Sequence, residues 1–416
     1  MPSISVLKTP KFRRYFFGQV GSDFGSALAT VAFAFAVLDI RGSAADLGWV
    51  MAARIIPLLL VTVLGGVWTD RLRREVVLTV TNVVSGCCQA LSAVLLLTGH
   101  GSLAALMVLS FVLGASTVVS APAAGAIMPT LVAPQLLNEA NALSRLAANT
   151  TAIVGTGLGG VLAGLIDPAW ALLIDALSFL WAAALFASLP ASRAHLTERR
   201  QSFLVEVREG WREFTRHAWL WPVVLQFVFI NIAWFGAYML IGPAYARESL
   251  GGPAAWGAIV SAQAIGAVVG GLITLKVTFR RPMLVGVLCI LPLAAPLFAI
   301  SVDARVVTIA LLAAVAGVSF EIFEVQYAVS LQRHVAPSRM ARVSAIDGLA
   351  SFSAMPLGFA LAGPLLVAVG VPATAVGAAA VIVLATAATL LAPGVRGLVD
   401  EPQPRTDEDQ PSDVVA

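Results

Sequence analysis

A chain of 416 residues that is 59% apolar and only 12% charged, with a mean hydropathy of +0.89, cannot clothe a water-exposed surface, because a soluble domain carries about 25% charged residues. A soluble enzyme or binding domain is therefore excluded, and lipid is the remaining solvent. The net charge of +3 does not point to nucleic acid, since the basic residues sit in short clusters between apolar runs, as in membrane proteins.

A helix needs roughly 20 apolar residues to cross a bilayer. Runs of that kind lie near 16–38, 47–69, 76–98, 103–127, 141–165, 168–189, 219–245, 255–277, 283–301, 305–330, 343–369 and 371–392. They predict an all-α membrane protein of twelve transmembrane helices. The segment with Lys8, Lys11, Arg13 and Arg14 leads into the first run with no small-residue cleavage site, so it reads as a first span. Pro122 in the fourth run and Pro292 and Pro296 in the ninth predict kinks. Cys87, Cys88 and Cys289 fall inside apolar runs without metal or disulfide spacing and read as packing residues.

Between the sixth and seventh runs, RAHLTERRQSFLVEVREGWREFTRH can form an amphipathic helix with Phe203, Leu204, Val207, Trp211 and Phe214 on its apolar side. The expected organisation is a six-helix bundle over 1–190, a cytoplasmic amphipathic linker over 191–218, a second bundle over 219–392, and an acidic, Pro-rich disordered tail over 393–416. An even number of spans places both termini on one side. The loops on that side hold 21 Lys and Arg residues, and the opposite loops hold Arg41, Arg247 and Arg305. This asymmetry predicts cytoplasmic termini. The 23 Arg against 3 Lys fit a GC-rich bacterial genome, hence a bacterial inner membrane.

The two halves repeat each other. Val132-Ala133-Pro134 recurs as Val335-Ala336-Pro337, Gly155 and Gly160 recur as Gly358 and Gly363, and Gly65-Gly66 with Thr69 recurs as Gly270-Gly271 with Thr274. Two six-helix halves in parallel repeat make a pseudo-symmetric transporter plan.

The loop between spans 2 and 3 reads Gly65-Gly66-Val67-Trp68-Thr69-Asp70-Arg71-Leu72-Arg73-Arg74. It resembles the loop signature of the major facilitator superfamily, although the family's glycine between the basic positions is replaced by Leu72 and Arg73. The resemblance implies a gating role for Gly65, Gly66, Asp70, Arg71 and Arg74; an ordinary basic loop would carry the same charges. Pro129-Thr130-Leu131-Val132-Ala133-Pro134, running on to Asn138-Glu139-Ala140-Asn141, and Gln332-Arg333-His334-Val335-Ala336-Pro337 resemble loops of the superfamily's macrolide-efflux-like and siderophore-exporter-like branch. The resemblance covers nearly the whole chain. It implies a secondary transporter of the drug:proton antiporter type, a monomer that exchanges protons and a small-molecule substrate across the bilayer with no cofactor. Two family features are missing: the proline in the Gly-rich span 5 (Gly155-Thr156-Gly157-Leu158-Gly159-Gly160) and the span-4 arginine.

An ionisable side chain at a helix centre costs about 2.5–3.5 kcal/mol on insertion scales, so intramembrane charges are the functional candidates. Asp23 in span 1, with Gln19 one turn away, and Glu321 and Glu324 at i and i+3 in span 10 fall at comparable depth. Because the family's spans 1, 4, 7 and 10 line the central cavity, the resemblance places all three around one cavity as proton-coupling or substrate residues. A permanent salt bridge, for instance with Arg54 in span 2, is the structural alternative. Arg145, Asp175 and Asp347 read as capping or interhelical partners. Phe227, Phe229, Trp234, Phe235 and Tyr238 crowd span 7, where they can face either a hydrophobic substrate or lipid. The four histidines lie in loops or at span ends, and no His-Glu-x-x-His, Gly-x-Ser-x-Gly or phosphate-binding loop occurs. The expected function is export of small hydrophobic, drug-like compounds by proton antiport. Export of a siderophore or lipid-like metabolite, or import of a nutrient, are the alternatives, and an intramembrane enzyme is the least supported.

Overall fold

The computed structural model describes residues 4–41, 43–64, 73–190, 211–277 and 279–399. In chain order the long helices are α1 (Pro10–Arg41), α2 (Ala44–Leu64), α3 (Arg74–Leu97), α4 (Leu103–Leu131), α5 (Leu137–Leu165), α6 (Pro168–Ala187), α7 (Leu220–Ser249), α8 (Pro253–Thr274), α9 (Pro282–Ser301), α10 (Val306–His334), α11 (Pro337–Ser353) and α12 (Met355–Leu390). Local chemistry sets several starts. Ser102 caps α4 by accepting from the Ala105 amide at 3.2 Å, and Asp167 caps α6 by accepting from Ala169 at 2.7 Å, with Pro168 at the first helical position.

Among the described residues, ten segments are long and apolar enough to cross a bilayer. The expected second span is the shorter α2, of 21 residues. The expected eleventh and twelfth spans run together as α11 and α12, broken at Gly370, whose φ of 79° and ψ of 172° are non-helical. A positive φ is open to glycine at little cost, so the chain turns there between the two spans. The prolines act unequally. Pro292 interrupts α9 through a 3-10 turn at Leu291–Leu293, whereas α4 continues as one helix through Pro122 and Pro129. A π-turn at Trp234–Tyr238 interrupts α7, a feature the sequence does not announce.

The helices form two bundles. In the first, α1 packs on α5 and α6, α3 on α4 and α6, and α2 on α4; in the second, α8 packs on α10, and α12 packs on α7 and α9. Leu28, Ala32, Leu172 and Phe186 fill the first interior, and Leu220, Tyr238, Ile309, Phe323 and Ile382 fill the second. Leu165, Leu177, Leu311 and Leu384 stand exposed on the outside, an apolar belt suited to lipid.

The bundles meet along α5 against α8 and α2 against α12. A methyl group on Gly160 would stand 2.6 Å from the Pro253 carbonyl oxygen, and one on Gly363 would stand 2.4 Å from Cα of Ala45. Thr156 and Ser261 bring their hydroxyls to 3.0 Å between α5 and α8. Arg247 of α7 pairs with Asp39 of α1 at 3.1 Å. All these contacts lie toward the end away from the termini and the basic loops. Of the predicted linker and tail, 191–210 and 400–416 lie outside the described residues, whereas Pro393–Gly397, expected within the disordered tail, form a short helix with Val395 buried. Residues 211–216 are helical, and Glu213 there accepts from Arg339, near the start of α11, at 2.6 Å.

Candidate functional site: an acidic, aromatic cavity

Three helices of the second bundle stand apart in the half nearer the termini. A cavity of about 300 Å³ lies there, walled by α7 (Val223, Val224, Phe227, Asn231, Phe235), α10 (Phe320, Phe323, Glu324, Tyr327) and α11 (Asp347, Gly348, Ser351). Positions 320, 323, 324 and 327 share one face of α10 by the three- and four-residue helical spacing. Phe227 stacks on Phe323 with ring centres 4.7 Å apart, and Phe323 stacks on Tyr327 at 5.5 Å.

The polar groups are few and fixed. Asn231 donates to the Ser351 carbonyl at 2.7 Å, and the Ser351 hydroxyl donates to Asp347 at 3.2 Å. Glu324 and Asp347 are close enough to repel each other electrostatically, and both bear on the Tyr327 hydroxyl. Among the described residues, none that lines the cavity is basic. An apolar, aromatic wall with a few placed polar groups is the common form of a small-molecule pocket. Two carboxylates against ring faces can hold a cation, by charge and by cation–π attraction, or can hold protons.

The sequence-predicted residues separate. Glu324 lines the cavity, but Glu321 turns toward α8, with its Oε1 3.8 Å from where a methyl on Gly271 would stand and under the electrostatic pull of Arg145 of α5. The structure thus turns Glu321 and Glu324, adjacent on α10, toward different surroundings. Asp23 is half-buried and accepts from Gln19 at 2.7 Å on its own helix; it is not among the cavity-lining residues. Of the aromatic candidates, Phe235 lines the cavity. Trp234 and Tyr238 instead stack on each other with ring centres 4.1 Å apart, and Tyr238 lies 5.0 Å from Trp256 of α8 inside the second bundle. Gly65, Gly66, Asp70 and Arg71 of the loop signature lie outside the described residues; Arg74 opens α3 and donates to the Ala126 carbonyl of α4 at 2.6 Å.

Asp347, read from the sequence as a capping or interhelical partner, is instead an ionisable residue of the cavity. The apolar run places it near a helix start, but α11 begins at Pro337, so Asp347 stands ten residues in, roughly 15 Å along the axis. Ser351 one turn further on is the available signal.

Away from the cavity, the first bundle holds a buried carboxylate. Asp175 of α6 is 2% exposed. It accepts from Gln89 of α3 at 2.6 Å, from Ser26 of α1 at 3.3 Å and from Ser178 at 3.4 Å, with Arg54 of α2 as its electrostatic counter-charge.

Comparison with known proteins agrees with this architecture. Residues 15–359 match the family model described as Major Facilitator Superfamily. The chain is similar to "Multidrug efflux pump Tap" of Mycolicibacterium fortuitum, with 26% identity over 364 residues that cover 84% of this chain and 88% of that one. It is 28% identical to the pump of the same name from Mycobacterium tuberculosis, over 84% of this chain and 85% of that one. Among solved structures, nucleoside transporter NupG superposes with a TM-score of 0.73 at 12% identity, over 91% of this chain and 98% of that one. A bacterial homologue of the iron transporter ferroportin gives 0.72 at 15% identity, over 91% and 98%. Those two likenesses speak to the fold alone. With a matching family model over most of its length, two bundles of membrane-spanning helices and a cavity between helices, the chain belongs to the Major Facilitator Superfamily and is a multi-pass membrane transporter, not an enzyme.

Proposed function

We propose that this transporter exports small hydrophobic, drug-like compounds in exchange for protons, by alternating access. The observation that carries this reading is the cavity itself, where Glu324 and Asp347 face a wall of Phe227, Phe235, Phe323 and Tyr327 with no basic residue among its described lining. A carboxylate in low dielectric costs several kcal/mol unless it binds a cation or a proton. Cation binding and protonation therefore compete at the same oxygens. That competition is antiport in its simplest form: the substrate enters as the proton leaves, and a returning proton ejects it. The relatives named as multidrug efflux pumps support the direction and the substrate class.

In this account the bundles over 1–190 and 219–392 rock about their far-end contacts, joined by the 191–218 linker, and the loop from Gly65 to Arg74 gates the end that bears the termini. Those termini lie in the cytoplasm of a bacterial inner membrane, so the cavity is drawn on its loading side. The test is ethidium transport in proteoliposomes under an imposed pH gradient, with a protonophore as control. Ethidium accumulation that collapses with the gradient supports antiport, and accumulation indifferent to the gradient refutes it.

A further inference from the structure

Asp23 and Asp175, both in the first bundle, have no place in the cavity. Asp23 lies on α1, and Asp175 is bonded to the same helix through Ser26. Gln19, Asp23 and Ser26 recur at i, i+4 and i+7, so they form one polar stripe. At the near end Gln19 donates to Asp23, and at the deep end the Ser26 hydroxyl donates to Oδ1 of Asp175. Asp23 and Ser26, three residues apart, are neighbours on the helix surface, about 5–6 Å between Cβ atoms. Asp23 is half-buried and Asp175 almost sealed, so the stripe leads from the accessible to the inaccessible carboxylate.

The donors around Asp175 suit two charge states. Oδ2 has one short partner, Gln89 at 2.6 Å, which donates to either form. Oδ1 has long contacts to two hydroxyls, Ser26 at 3.3 Å and Ser178 at 3.4 Å. A hydroxyl donates to a carboxylate and accepts from a carboxylic acid simply by rotating. A purely structural anchor would be expected to satisfy that oxygen with fixed donors such as backbone N–H groups.

We propose that Asp175 is a second proton-binding site of the transport cycle, loaded from water through the half-buried Ser26 hydroxyl. The step balances: a hydronium ion gives its proton to the Ser26 oxygen as the Ser26 O–H proton passes to Oδ1 of Asp175. Ser26 is unchanged, water is left behind, and Asp175 becomes a neutral acid. Arg54 then loses its counter-charge on α2, the helix that packs on α12 of the other bundle. The site rests on the proton-antiport reading for its role, though not for its chemistry.

The groups facing Asp175 can be named. Arg54 of α2 attracts its charged form. From α1 the titratable neighbour is Asp23, one turn from Ser26. From α3 comes Gln89, which does not titrate, with Cys88 beside it in the chain. The charged residues of α5 point elsewhere: Glu139 accepts from the Val6 amide and Arg145 bears on Glu321.

The test uses the full chain in liposomes and reads protons directly. Infrared difference spectra between acid and neutral pH record each carboxyl as it gains its proton. In Asp175→Asn one C=O band of a protonated acid should vanish, and a different one should vanish in Glu324→Gln. Ser26→Ala should keep the Asp175 band but slow its appearance after a pH jump at least tenfold. If Asp175→Asn does not fold, the Ser26→Ala kinetics decide alone. A full set of bands in Asp175→Asn, or no band slowed in Ser26→Ala, overturns the proposal. The separation from the antiport reading is clean: wild type that fails to drive ethidium uphill refutes antiport while leaving the Asp175 band in place, and the reverse result refutes only this site.

Discussion

The packing of α5 on α8 gives a graded test of the rocking motion. Gly160 and Gly164 are one turn apart on α5 and face the same helix. A methyl on Gly160 would stand 2.6 Å from the Pro253 carbonyl oxygen and 2.8 Å from Cα of Gly257; on Gly164 it would stand 3.7 Å from its nearest neighbours in Ala254. Non-bonded carbon contacts settle at about 3.5–4.0 Å, so Gly160→Ala must push backbone from backbone by about 1 Å, while Gly164→Ala fits. Overpacking of this kind costs about 1–3 kcal/mol, and here it falls on the state in which the far ends touch. The ratio of far-end-closed to far-end-open molecules should therefore drop roughly 5- to 150-fold in Gly160→Ala and barely change in Gly164→Ala. Spin-label pairs across the far end, in a background lacking Cys87, Cys88 and Cys289, would read the two populations. Equal distance distributions in Gly160→Ala and Gly164→Ala would refute the claim that this contact holds the far end shut.

Other outcomes follow from single contacts. Phe227→Ala removes an aromatic ring from the cavity wall; an aromatic contact with ethidium would contribute about 0.5–1.5 kcal/mol, so its loss should raise the KM for ethidium roughly 2- to 12-fold with a smaller change in turnover. Asp39→Asn breaks the pair with Arg247, whose side chains are 53% and 39% exposed. An exposed pair contributes about 0.2–1 kcal/mol, so far-end opening should rise by at most about fivefold, and less at high salt. Glu213 is held below the usual glutamate range by its hydrogen bond from Arg339 and by Arg216. A lowered folded-state value means the linker's tie to α11 is fully present above about pH 4.3 and is lost as pH falls further. The hydrogen-exchange protection factor at 211–216 should be flat from pH 7 to 5, should fall in acid, and should already be lowered at neutral pH in Glu213→Gln.

The fold is largely legible in the sequence because its strongest signals are one-dimensional. Twenty-residue apolar runs, basic clusters and a repeat such as Gly155/Gly160 with Gly358/Gly363 need no knowledge of packing. Helix ends are less legible, since Pro337 starts α11 six residues before the apolar run does, and that shift hides Asp347. The site is legible only in part, because sequence fixes depth but not azimuth. Glu321 and Glu324 share a depth, yet three residues on a helix leave about 60° between them. That is enough to turn one toward α8 and the other into the cavity. The π-turn in α7 similarly places Phe235 in the cavity wall while Trp234 and Tyr238 stay inside the bundle.

The most direct measurement of the central claim is ethidium flux through Glu324→Gln, Asp347→Asn and the double variant, each in proteoliposomes with and without a pH gradient. Downhill exchange needs the bundles to move but no net proton turnover, whereas uphill export needs both. The account predicts that the double variant keeps downhill exchange and loses gradient-driven accumulation, with at least one single variant shifted in its pH dependence. Uphill export by the double variant with the pH dependence of wild type would contradict it.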